Sequence, residues 1–182
     1  NYLLFLSLAF YGIYLAYIGG YGSDEDTLPL IGAYESMMSG NKLMASRFTP
    51  YPVAELGIGF LSYNFGSAVT NIITFSFIIF GIIIFYLAII DKYEKSEILL
   101  FLILCLSNPI LYFENLEPID YSWAFLPLAL GAFALKKNYF ELAIIFFGIS
   151  IGTRIYFLVF VFIIVLFFNY KKEITTNRKL LF

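Results

Sequence analysis

Long uncharged apolar stretches alternate along this chain with short charged ones. No charge occurs between Asn1 and Ser23, nor between Leu56 and Ile90. A helix that crosses a bilayer needs about 20 predominantly apolar residues, within a range of about 17–25. The pattern therefore predicts a first span over Tyr2–Gly20 and a second over Ala68–Ile90, preceded by a short interfacial helix. Ile98–Phe113 and Tyr121–Leu135 are shorter clean runs. They must recruit flanking aromatic residues such as Tyr112, Tyr121 and Trp123, or sit in locally thinned bilayer. The last apolar region, Tyr139–Tyr170, is interrupted at Gly152-Thr153-Arg154.

Loop charge decides how that last region is arranged. Lys92 and Lys95 follow the second span, Lys136 and Lys137 follow the fourth, and Lys171, Lys172, Arg178 and Lys179 follow the last. The remaining loops are acidic, with Asp24, Glu25 and Asp26 in the first and Glu114, Glu117 and Asp120 before the fourth span. Positive loops mark the cytoplasmic side. With Lys137 and Lys171 on one side, the chain between them must go out and return, which puts Arg154 at the turn of a tight hairpin near the outer interface. The expected fold is all-α: a polytopic transmembrane protein of about six spans, multi-pass, with basic loops cytoplasmic and the acidic first loop outside. Residues 1–182 form one partial transmembrane module, and residues 21–67 its long outer loop.

Composition narrows the chemistry. The chain is 61% hydrophobic and 13% charged, with a mean hydropathy of +0.86, whereas a soluble domain carries about 25% charged residues. No water-soluble shape of this length hides so much apolar surface, so lipid must solvate it. A net charge of -2 offers no basic face to nucleic acid. The absence of histidine removes Ser-His-Asp triads, Cys-His pairs and His-bearing zinc sites. Cys105 is the single cysteine, so no internal disulfide can form. Phosphate-cradling glycine motifs are missing too. Carboxylates, Arg, Lys, Tyr and Ser are what remain for catalysis. Because the chain enters an apolar stretch at Asn1 and stops at Leu180-Leu181-Phe182 after a basic cluster, it reads as the N-terminal part of a longer protein.

The first outer loop is far longer than the roughly 4–6 residues of a simple connection, and it is patterned. After Ser23-Asp24-Glu25-Asp26-Thr27, Pro29 suits a first helical turn. Leu30, Tyr34, Met37 and Met38 then fall on one helical face, and Gly40 is placed to stop the helix. Such a helix lies on the membrane surface, its apolar face in the acyl boundary. Carboxylates at its start gain from its positive end. Ser46-Arg47-Phe48-Thr49-Pro50-Tyr51-Pro52 follows, stiffened by its prolines. Arg47 suits two-pronged hydrogen bonding to a phosphate or carboxylate.

An apolar span, then Asp-Glu, a surface helix ending in Ser39-Gly40, and Ser-Arg-x-x-x-Tyr-Pro-x-x-Glu before the second span together resemble the GT-C glycosyltransferases. That superfamily includes the protein O-mannosyltransferases and the bacterial enzymes that transfer sugars onto lipid A. Asn108-Pro109, Glu117-Pro118-Ile119-Asp120 and Gly148 through Gly152-Thr153-Arg154 also resemble later spans of such proteins. The resemblance runs over nearly the whole chain, carried by the order and sidedness of short motifs.

The resemblance implies an inverting hexosyl or pentosyl transferase, mannosyltransferase-like, which takes a sugar from a polyprenyl-phosphate donor at the outer face. The acceptor would be a glycan, lipid or protein. In the family the aspartate after the first span is the base toward the acceptor, which maps onto Asp24, with Glu25 the adjacent acid. Asp26 completes an Asp-x-Asp pattern that some members use with a divalent metal and others do not, leaving Asp24 and Asp26 as the metal candidates. Several relatives carry Lys-Pro where this chain has Tyr51-Pro52, and that lysine approaches the donor phosphate; Arg47 is the candidate for its place. Arg154 is a second donor-phosphate candidate, and Asp26, Tyr51 and Asp120 are supporting residues.

The chemistry stands without the family name. Sugar transfer from a phosphate needs a carboxylate within reach of the acceptor hydroxyl and cationic groups to bear charge on the leaving phosphate. The plain alternatives are a solvated acidic loop that only fixes topology, a polar turn at Glu114, Glu117 and Asp120, and an Arg154 that snorkels to headgroups. Glu55 reads as a loop stabiliser and Glu141 as a surface partner of Lys137 at helical spacing. Two other function classes compete: a transporter or flippase, which places ionisable residues near the membrane midplane, and a non-catalytic membrane subunit whose first loop binds a partner.

Overall fold

The computed structural model describes residues 2–21, 27–40, 52–91 and 94–180. Within them the chain is all-helical: α1 (Tyr2–Ile18), α2 (Thr27–Met38), α3 (Pro52–Ile89), α4 (Lys95–Leu106), α5 (Pro109–Glu114), α6 (Asp120–Lys136), α7 (Phe140–Thr153) and α8 (Phe157–Leu180). By length and composition α3 is the one helix among them long and apolar enough to cross a membrane; Tyr2–Ile18, Ser96–Leu106, Phe140–Thr153 and Phe157–Tyr170 are apolar but shorter.

Helix α3 is two helices joined at Gly66, whose φ of 76° lies in the left-handed region that favours glycine. The division falls close to the start of the run Ala68–Ile90 that the pattern set apart from a preceding short helix. Between α7 and α8 the helix breaks at Arg154, whose extended backbone (φ -149°, ψ 119°) ends the run where the charge pattern put a turn. Both helices pack on α6, and Phe157 and Ile164 of α8 share a core with Ala132 of α6 and Phe147 of α7. A straight continuation of α7 would carry α8 roughly 21 Å further along the same axis, away from those partners, so the chain must reverse.

The run Ile98–Phe113 departs from the expectation of one continuous helix. It breaks between α4 and α5, because Pro109 has no N–H to donate and its ring would clash with a carbonyl one turn earlier. Asn108 caps the new start, its Oδ1 accepting from the backbone amides of Ile110 (3.0 Å) and Leu111 (3.4 Å).

Helix α2 forms where the pattern put it and ends at Gly40, with φ 76°, but its packed face is different. Leu30, Ile31 and Ala33 are buried, whereas Met38 is 52% exposed. Leu30 and Ile31 pack on Ala54 and Ile58 of α3, so this face is covered by protein and not by lipid.

Small residues let the helices approach closely. The Gly12 backbone of α1 lies against the Phe75 ring of α3, and Gly57 against Trp123 of α6, with no room for a Cβ at either contact. Trp123 also donates through Nε1 to Thr74 Oγ1 at 3.0 Å, and Ser150 of α7 donates to Ala124 O at 2.8 Å. The outward surface is apolar: Leu3 is 82% exposed, Ile144 71% and Phe162 62%.

Candidate functional site

Four segments meet at one end of the bundle. Tyr21, just past α1, packs with Leu30 of α2, Ala54 of α3 and Trp123 of α6. Val53 of α3 faces Gly152 of α7. The opposite end is marked by Lys136, which donates to the last carbonyls of α3, Leu87 O (2.7 Å) and Ile90 O (2.5 Å), and pairs with Asp91 at 3.5 Å. A cation at a helix C-terminus meets both the unpaired carbonyls and the negative end of the dipole.

At the first end the bundle interior is polar. Asp120 begins α6, and its Oδ1 accepts a hydrogen bond of 2.8 Å from Nε of Arg154, the residue that ends α7. Both are buried, the side chains 0% and 8% exposed respectively. The Tyr121 ring lies 3.6 Å from the Arg154 guanidinium carbon, a close cation–π contact. Burial works against the Arg154 charge, but the hydrogen bond and negative charge of Asp120, with Tyr121 beside them, outweigh it and raise its pKa above the ordinary value. Arg154 thus stays a cation away from water, held in a fixed orientation, and does not reach out to headgroups. Glu55, in the first turn of α3, is buried as well.

Beside this pair a cavity of roughly 590 Å³ has Tyr121, Asn115, Glu114 and Asn108 on its polar side. Tyr121 thus borders both the cavity and the guanidinium.

The structure brings Asp120 and Arg154 together. Asp24, Glu25, Asp26, Arg47 and Tyr51 lie outside the described residues, and so does the Asp24–Asp26 metal pair. Among the described residues no group of three or more metal-ligating side chains occurs. Tyr21, the last described residue before Asp24, lies at this end of the bundle.

Two functional candidates escaped the sequence reading. Asn71 is fully buried in α3 and donates through Nδ2 to Ala16 O at 3.1 Å and Gly20 O at 2.5 Å. Asn115 is 5% exposed and donates to Leu111 O at 2.6 Å. An amide inside an uncharged apolar run was the available signal for Asn71, since polar groups there are costly unless they are bonded. No known protein family, curated protein or solved structure matches this chain.

Proposed function

We propose that the chain is a polytopic membrane glycosyltransferase that moves a sugar from a polyprenyl-phosphate donor to an acceptor at the non-cytoplasmic face, with Asp24 as general base. The observation that carries this reading is the buried Asp120–Arg154 pair at the end of the bundle from which the acidic loop departs. A guanidinium fixed in a low-dielectric setting supports an oxyanion leaving group far better than one in water, and a leaving phosphate needs such a group. Asp24 takes the acceptor hydroxyl proton as that oxygen attacks the anomeric carbon. The sugar–phosphate bond breaks and the charge passes to the phosphate, for which Arg47 is the candidate cation, with Arg154 adding the positive potential of its fixed guanidinium from behind Tyr121. Glu25, Asp26 and Tyr51 are the supporting residues of this reading.

The bilayer is part of the same proposal. Exposed Leu3, Ile144 and Phe162 belong to faces that soluble proteins rarely display over large contiguous areas. The apolar helices shorter than α3 then cross with help from flanking aromatic residues and local thinning, giving about six spans. Asp24 and Asp26 are the residues that would hold a divalent ion if one is used.

The test is sugar transfer by the intact protein in proteoliposomes supplied with a radiolabelled polyprenyl-phosphate sugar and a membrane extract as acceptor. Asp24→Asn is expected to slow transfer by about 10²–10⁴-fold, the usual worth of a general base. Undiminished transfer by that variant removes the reading. A buried ion pair among helices is also the observation that favours a transporter, and substrate flux without a transfer product selects that class instead.

A further inference from the structure

Arg154 keeps its charge almost without water, and two neighbours in sequence hold it from two directions. Asp120 takes its edge, the Nε lying 2.8 Å from Oδ1. The Tyr121 ring takes its face, with the ring centroid 3.6 Å from the guanidinium carbon. That spacing is van der Waals contact and leaves no room for a water molecule between the two groups. Asp120 and Tyr121 are the first two residues of α6. Successive side chains on a helix diverge by about 100°, so one helix start supplies both the carboxylate and the cover.

Exposure separates the roles of the two. The Arg154 and Asp120 side chains are 8% and 0% exposed, whereas Tyr121 is 46% exposed. Tyr121 lines the cavity that Ile78, Phe125 and Phe157 share, and Arg154 does not. Away from the cavity the surroundings are packed, with Thr153 fully buried and Val53 against Gly152. Water therefore comes nearest to the pair on the Tyr121 side. A charge in a dry setting acts far more strongly than the same charge in water, and a guanidinium hydrated from the cavity loses both that strength and its fixed orientation.

We propose that Tyr121 is a positioning residue of the candidate site: its ring seals the Asp120–Arg154 pair against water in the cavity and keeps the field of the cation undiluted. The seal rests on this geometry alone, and its use toward a phosphate rests on the transferase reading above. An aromatic face suits the task because it excludes water and attracts the cation at once.

Phenylglyoxal, which modifies accessible guanidinium groups, tests the seal on the full chain in lipid nanodiscs. Peptide mass spectrometry reads the rate at Arg154 against that at Arg178 in the same sample. Tyr121→Ala is expected to speed modification of Arg154 by about tenfold, the equivalent of one lost cation–π contact of desolvated strength. Tyr121→Phe should keep the wild-type rate. In the sugar-transfer assay Tyr121→Ala should lower kcat by about tenfold with KM unchanged, the signature of an interaction felt only in the transition state, and Tyr121→Phe should hold near wild type. An Arg154 rate that Tyr121→Ala leaves unchanged overturns the proposal, as does a Phe variant as reactive as the Ala one. Faster modification without a fall in kcat overturns it too, since the seal would then serve no reaction. Circular dichroism checks folding, and Tyr121→Leu takes the place of Tyr121→Ala if that variant is unfolded. If even the wild type transfers no sugar, the transferase reading falls while the modification rates still decide the seal.

Discussion

Arg154 Nε and Asp120 Oδ1 sit 2.8 Å apart although they are 34 positions apart in the chain, and the contact fastens the residue that caps α7 to the first of α6. Neither group has appreciable access to water, so each is the other's replacement for lost hydration. The pair also sets where Tyr121 can lie, since its ring covers the guanidinium.

Asp120→Ala should destabilise the bundle by about 3–5 kcal/mol, because it leaves a cation buried without its carboxylate. Asp120→Leu combined with Arg154→Met should recover much of that loss, since an apolar pair of similar volume has no charge to dehydrate. Denaturant unfolding in a membrane mimic measures both. A double variant no more stable than the single one would mean the pair is not the dominant interaction.

Gly12→Leu should lower stability by about 1–3 kcal/mol through overpacking, because the Phe75 ring occupies the space a side chain at residue 12 needs. Adding Phe75→Ala should relieve part of the effect, which thermal unfolding of the two variants and their combination reads as a coupling energy.

Asn108→Ala removes the cap from a helix of six residues, at a cost of about 1 kcal/mol. Amide exchange should quicken at Ile110 and Leu111, whose N–H groups the Asn108 oxygen holds, and leave α6 unchanged.

Single cysteines placed at Gly40 and at Asn138, in a chain carrying Cys105→Ala, should react with a membrane-impermeant maleimide from opposite sides of sealed vesicles. Residue 40 follows the helix at the acidic end of the bundle, and residue 138 the Lys136 end. Labelling of both from one side would contradict the alternating route through the bilayer.

Reading the residues in order captured what local chemistry controls. The turn at Arg154 was legible because charge on both flanks demanded a reversal there, and the division of α3 followed from the same uncharged run that holds Gly66. The break at Asn108-Pro109 was visible as a dipeptide, yet hydropathy alone carried the run through it. Helix α2 was found, but its buried face turns toward Ile31 and Ala33 since α3, and not lipid, is what it meets. The meeting of Asp120 with Arg154 was out of reach: no spacing rule joins two residues whose proximity depends on α6 and α7 packing side by side. For the same reason nothing in the sequence singled out Asn115.

Asn71 leaves a timing constraint on biogenesis. The carbonyls of Ala16 and Gly20 sit at the end of α1, where a helix has no later amide of its own to satisfy them, and the group that does so arrives 55 and 51 residues downstream. A ribosome that has just released α1 has therefore not yet made its lid. Until the second half of α3 emerges, the end of the first helix must keep its oxygens in water or on some other donor, and the two segments can bury this end only as a unit.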